Sequence, residues 1–280
     1  MVSPCLKNKG SAVRFCLWPQ MIINKLKNSK SNYLKREYIY RRNSKKLKIY
    51  FNGSHKVSRN YSQMLQDIFV LTLYNGKEEG TYVEIGSYLP IDINNTYLLE
   101  NQFNWRGISY DINNEFVNEF NEVRKNKCIL KDATKANFKS DFIEANLPNN
   151  IDFLQIDIEP AEKSLSCLEN IPFDEYKFGI ITFETEFYQE GSKYETPSRK
   201  YLKEKGYKLV VERVGRLGKY YEDWYVHESL QEKFIEIFGN KKLFQIDAKK
   251  LLFSNYKNSK FKLFFGIIYN LFIVKKNIYR

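Results

Sequence analysis

From residue 81 onward the chain alternates short apolar strands with helical stretches, and that alternation allows few folds. "TYVEIG" (81–86), "RGISYD" (106–111), "CILKD" (128–132), "IDFLQIDIE" (151–159) and "FGIITFE" (178–184) read as strands. "NNTYLLENQF", "NEFVNEFNEVRK", "NFKSDFIEAN" and "AEKSLSCLEN" lie between them and read as helices. A last helix ends at "SRKYLKEKG", with Gly206 just past it. "YKLVVERV" and "YYEDWYV" follow with few residues between them, which suits an antiparallel pair. Strict alternation predicts an α/β fold: a Rossmann-like, mostly parallel sheet, the last strand antiparallel, with helices on both faces. Right-handed crossovers then bring the C-terminal ends of the parallel strands to one edge, where ligands of such sheets bind.

The strand ends carry Glu84 and Gly86, then Asp111, Asp132, the pair Asp157 and Glu159, and Glu184. Five successive strands thus end on carboxylates. Asp111 stands where an acid accepts hydrogen bonds from both ribose hydroxyls. Asp132 is placed to face an adenine amino group. A dinucleotide would need a glycine-rich cradle for its pyrophosphate. Here the loop is Gly86-Ser87-Tyr88-Leu89-Pro90, with one glycine, and Glu84 beside it would repel phosphates. A nucleoside with a cationic amino-acid tail suits these groups, and S-adenosylmethionine has that chemistry. Asp157 and Glu159 are alternate residues of the expected strand and would share a face. They can act as base and acceptor-orienting group, or hold a divalent cation, the less favoured use. No metal ligand set is assigned.

The blocks "YSQMLQDIFVL", "TYVEIGSYLPIDINNTYLLENQFNWRGISYDIN", "IDFLQIDIEPAEKSLSCL", "ITFETEF" and "YYEDWYVH" occur in one order between residues 61 and 227. In this the chain resembles the FkbM-type class I methyltransferases. The resemblance implies a seven-stranded sheet and transfer of a methyl group from S-adenosylmethionine, usually to a hydroxyl of a glycan or secondary metabolite. It implies that the leading helix, with Gln66 and Asp67, caps the cofactor, and that Asn95 and Thr96 reach its methionine end. Glu184 is the further acid of the reaction site, followed by Thr185 where the family often has histidine. Pro160 replaces a glycine usual after the Asp157-Ile158-Glu159 run, and Leu89-Pro90 stands near where a small residue and glycine are usual. His227 is expected on a late strand whose loop overhangs the acceptor site.

Charge divides the chain into three. Residues 1–60 hold 15 Lys/Arg against one acid, Glu37, and residues 249–280 hold eight Lys/Arg and no acid. The middle, 61–248, has 22 Lys/Arg against 32 Asp/Glu. The expected organisation is a basic N-terminal arm (1–60), a methyltransferase domain (61–248) and a basic, apolar C-terminal extension (249–280). The arms suit peripheral contact with an anionic membrane; no specific nucleic-acid motif is present. The apolar run 263–274 would span about 18 Å as a helix, short of the roughly 30 Å hydrocarbon core. Four scattered cysteines and no leader-like apolar stretch lead to an expected cytoplasmic location. Two rival functions stand: a glycosyltransferase using Asp157 and Glu159 on a metal, and an inactive Rossmann-like binding protein.

Overall fold

The computed structural model describes residues 47–216, 219–241, 243–245 and 248–253. The apolar run 263–274 and most of both basic arms lie outside the described residues. The core is an α/β sheet with strands β1 (Thr81–Ile85), β2 (Arg106–Asp111), β3 (Lys127–Leu130), β4 (Asn150–Ile156), β5 (Lys177–Glu184), β6 (Tyr207–Arg216), β7 (Lys219–His227) and β8 (Leu243–Phe244). Their order is β3-β2-β1-β4-β5-β7-β6-β8. β1 to β5 pair in parallel, and β7 runs antiparallel to both β5 and β6. This is the expected Rossmann-like sheet. The two-residue β8, parallel to β6, is an addition to the seven strands foreseen.

All five residues of β1 are buried, because helices cover the central strand on both sides. On one face the fully buried helix Gln66–Leu73 lies over β7, where the Phe69 and Trp224 rings are 4.4 Å apart. On the other face Phe138, Phe142, Phe178, Phe173 and Tyr207 form an aromatic chain, edge-to-face except for the tilted Phe138–Phe142 pair. Polar caps set the helix starts. Asn113 accepts from the Glu115 and Phe116 amides, and Asn137 accepts from that of Ser140.

Four local expectations need correction. The leading helix starts at Gln66 with Leu65, not Ser62, at its N-cap, although the Ser62 hydroxyl takes the Asp67 amide at 3.4 Å. The Asp67 carboxylate turns back to take the Tyr61 and Ser62 amides and the Ser62 hydroxyl. β3 stops at Leu130, so Asp132 lies beyond it. β4 stops at Ile156, so Asp157 and Glu159 belong to a loop, and strand alternation no longer relates their faces. Finally, the packed body begins before Tyr61. Leu47, Phe51 and Val57 are buried, and Leu47 bridges to Phe253. Residues 47–60 therefore dock on the domain, and Ala248, Leu251 and Leu252 at its other end are buried too.

Candidate functional site

The sheet order reverses between β1 and β4, and a crevice at that edge is where such folds hold ligands. The turn after β1 is shaped for it. Gly86 has φ 85°, and a Cβ there would meet the Asp157 backbone oxygen at 1.9 Å. The Gly86 and Ser87 amides both donate to the Tyr110 carbonyl at the end of β2. Ser87 is buried, its Oγ 3.4 Å from Cys128 Sγ. Asp111 completes the turn: its Oδ2 accepts from the Tyr88 amide at 2.9 Å and its Oδ1 from the Asn113 amide at 2.8 Å. Each oxygen keeps a further lone pair, and the carboxylate is half-buried. Asp132 is committed locally. It takes the Thr134 amide and hydroxyl, and those bonds hold its pKa below the usual carboxylate range.

Glu84, expected beside the cofactor, is closed in by donors from its own protein. It is fully buried and accepts from Ser109 Oγ (2.8 Å), Thr96 Oγ1 (3.0 Å), the Asn95 amide (3.2 Å) and Asn94 Nδ2 (3.3 Å). Burial raises its pKa, against the pull of Arg124 and these donors. Its work is to fasten the 94–96 turn over β1. Asn94, one position before the pair singled out in the sequence, is the hub of that turn. Its Oδ1 accepts from the Thr96 and Tyr97 amides and from Arg124 Nη1. Arg124, with a fully buried side chain, pairs with Glu100 at 2.8 Å and also donates to the Pro90 carbonyl at 2.8 Å. Thr96 is buried within the same network. Asn95 is 6% exposed, yet its Oδ1 has no hydrogen-bond partner. A buried acceptor left open in an otherwise satisfied turn marks a place for a donor.

The loop after β4 brings Asp157 beside Glu184 at the end of β5. Glu184 Oε2 is buried, and the Asp157 side chain is the hydrogen-bonding group beside Glu184. Burial first, then the Asp157 charge, raise the Glu184 pKa well above the usual carboxylate range. Glu184 therefore holds a proton more tightly than an exposed carboxyl does. Glu159 is exposed, two residues further along the loop, and the pairing foreseen for Asp157 with Glu159 is replaced by Asp157 with Glu184. Thr185 is fully buried, its Oγ1 and amide both on the Tyr221 carbonyl. Glu186, unremarked in the sequence, takes the Ala161 amide at 2.8 Å and so caps the helix Ala161–Asn170 from a distance.

His227 is on the wrong edge for the expected role. β7 is antiparallel, so its last residues lie beside the start of β5 and β6: Val226 faces Ile180, and His227 faces Tyr207. His227 there caps the turn Glu228–Leu230, and burial lowers its pKa. The reversal instead delivers the beginning of β7 to the site. Glu222 stands opposite Glu184, is 2% exposed, and accepts from Gln66 Nε2 at 2.7 Å and Trp224 Nε1 at 2.6 Å. Gln66 thus reaches the site edge through Glu222. Asp67 does not: it is fully buried and spent on Tyr61, Ser62 and Ile68. The antiparallel strand direction was the sequence signal that could have exposed Glu222.

The edge therefore presents three things in a row. They are a carboxylate with spare lone pairs at β2, an open buried acceptor at the 94–96 turn fastened to β1, and Asp157 beside Glu184 after β4 and β5. Among the described residues, no group of three or more His, Cys, Asp or Glu side chains is arranged to hold a metal ion. No described helix is long and apolar enough to cross a membrane.

No family model matches the chain, and no curated protein matches it. Among solved structures the chain is similar to a TehB-like SAM-dependent methyltransferase from Corynebacterium glutamicum, with TM-score 0.42 and 9% identity over 72% of this chain and 99% of that one. It is similar to an rRNA methylase from Streptococcus thermophilus, with TM-score 0.41 and 8% identity over 58% and 94%. A third is Aeropyrum pernix fibrillarin with natively bound S-adenosyl-L-methionine, at TM-score 0.39 and 14% identity over 59% and 74%. Likenesses this distant carry no activity or substrate across.

Proposed function

We propose that this chain is an S-adenosylmethionine-dependent methyltransferase acting on a hydroxyl oxygen of a glycan or small metabolite, as the resemblance to FkbM-type enzymes implies. The observation that carries the reading is the open Asn95 Oδ1 in the 94–96 turn, which is fastened to β1, the strand between β2 and β4. The residues fit the group. Asp111 offers acceptors for ribose hydroxyls, and Asn95 Oδ1 offers one for the ammonium of the amino-acid tail. Neither needs the phosphate cradle that this turn lacks. When bound, the cofactor supplies an electrophilic methyl on a sulfonium.

The protein's own part is alignment and proton removal. An alcohol oxygen attacks only as its proton leaves. The ionised member of the Asp157–Glu184 pair is the acceptor for that proton. Gly86 keeps the turn against Asp157, so cofactor position and base position share one backbone contact. Exposed Glu159 is left to meet the acceptor at the mouth.

The test is methyl transfer from radiolabelled S-adenosylmethionine to a panel of polyols and surface glycans. Glu184→Gln and Asp157→Asn should keep cofactor binding and lose about 10²–10⁴-fold in turnover. Cofactor binding without transfer to any offered hydroxyl would favour the inactive binding-protein reading. Binding of a sugar nucleotide with a divalent metal, and none of S-adenosylmethionine, would favour the glycosyltransferase.

A further inference from the structure

Glu222 lies outside every role assigned so far, yet its surroundings are built around its carboxyl. It is directly opposite Glu184 in the antiparallel β5–β7 pair, so the two side chains project from the same face. Both its oxygens are already acceptors. Gln66 Nε2 donates to Oε2 at 2.7 Å, and Trp224 Nε1 donates to Oε1 at 2.6 Å. Neither donor can reverse. An indole N–H only donates, and the Gln66 amide is fixed because its Oε1 takes the Met64 amide at 2.8 Å. A proton on Glu222 therefore cannot lie along either bond and points away from both donors.

The charged groups around it show which neighbours feel that proton. Asp157 comes from the loop after β4 and Glu184 from β5. Asp223, next on β7, projects to the other face, where Arg199 Nε holds it at 2.7 Å. Asp67, on the helix with Gln66, is turned to Ser62. On β6 the opposite residue is Val214, which is apolar. Of these charged groups, the Asp157–Glu184 pair is the one that Glu222 faces.

We propose that Glu222 is a positioning residue for the Asp157–Glu184 pair: its proton is directed at the pair, and its charge state sets how readily the pair takes a proton. Burial, followed by the Asp157 charge, pushes the Glu222 pKa up to about 8, so it changes charge just above neutrality. Once ionised, Glu222 adds a negative charge beside Glu184 and strengthens the pair's hold on its proton. Gln66 ties the leading helix to this switch. The catalytic meaning rests on the methyl-transfer reading; the coupling of the three carboxyls does not.

The coupling is measured on the full chain without cofactor, by carbon-13 NMR of labelled Asp and Glu carboxyls titrated with pH and assigned by single substitutions. In the wild type the Glu184 resonance should bend at the Glu222 midpoint near pH 8. In Glu222→Gln that bend should vanish and the Glu184 midpoint should move down. Gln66→Met removes one donor from Glu222, so the Glu222 midpoint and the bend in Glu184 should move up together. A Glu184 resonance in the wild type with no inflection at the Glu222 midpoint overturns the proposal. So does a folded Glu222→Gln protein with the Glu184 midpoint unchanged. Since the wild type alone gives a decisive result, poor folding of a variant does not protect the idea. Failure of methyl transfer in the separate assay leaves this titration untouched, so the two readings fail independently.

Discussion

Gly86 and Asp157 meet backbone to backbone: a Cβ on residue 86 would stand 1.9 Å from the Asp157 oxygen. Two loops from neighbouring strands are thereby locked at the spacing a single hydrogen atom allows. Gly86 also has φ 85°, which costs a residue with a Cβ about 1–2 kcal/mol before any clash. Gly86→Ala should destabilise the protein by roughly 2–4 kcal/mol, read by denaturant unfolding, and should abolish S-adenosylmethionine binding in the folded fraction. Wild-type stability and binding in this variant would mean that the turn is not constrained as described.

The Arg124–Glu100 pair should prove indispensable to the turn that carries Asn95. The Arg124 side chain is fully buried and contacts Glu100, Asn94 and the Pro90 carbonyl. Arg124→Met leaves Glu100 charged and uncompensated, at a cost of about 3–5 kcal/mol. Double substitution of Arg124 and Glu100 by apolar residues should recover part of that loss in a denaturant series. An additive double mutant would show that the two do not act as a pair.

Stability should fall as pH rises from about 4.5 to about 8. The Glu222 pKa is raised from 4.5 to about 8, so the folded state binds the proton more tightly than the unfolded chain. Its contribution is complete below the unfolded value and is lost as pH passes through the folded one. The full effect is on the order of 3–5 kcal/mol. Glu222→Gln cannot ionise, so its stability should fall less across that window. Identical slopes for the two proteins, by urea titration at pH 5 and pH 8.5, would remove Glu222 from the account.

The expected arm boundary has a measurable consequence. Leu47, Phe51 and Val57 are buried, so a chain starting at residue 59 loses core contacts that one starting at residue 47 retains. Deleting 1–46 should leave the unfolding midpoint near that of the full chain. Deleting 1–58 should lower stability by at least about 3 kcal/mol, the scale of burying a few apolar side chains. Equal stabilities would restore the boundary at Tyr61.

The strand and helix order was legible because the strands are near-continuous apolar runs separated by helical stretches, a pattern with few solutions. β2 fell where the sequence put it. The site was legible only in part. Glu84, Asp67 and Asp111 look alike in sequence, each an acid at an element's end. What separates them is who supplies the donors. Glu84 is closed by Ser109 and by residues 94–96, and Asp67 by residues 61–62. Asp111 is only half used. Partners arriving from other elements are not written in the local pattern. β4 ended before Asp157 because the chain turns there to meet Gly86, and nothing apolar marks the stop. The antiparallel β7 was foreseen, but its consequence was not: reversing a strand exchanges which end reaches the site, removing His227 and delivering Glu222.

The most direct test of the whole account is calorimetric titration of S-adenosylmethionine into the wild type and into Asp111→Ala. The account predicts one saturable site in the wild type. In Asp111→Ala it predicts a loss of roughly 2–3 kcal/mol, about 30- to 150-fold in Kd, because ribose hydroxyls lose a charged acceptor and the Tyr88 amide loses its anchor. A folded wild-type protein that binds no S-adenosylmethionine, or one that binds it equally well without Asp111, would contradict the account.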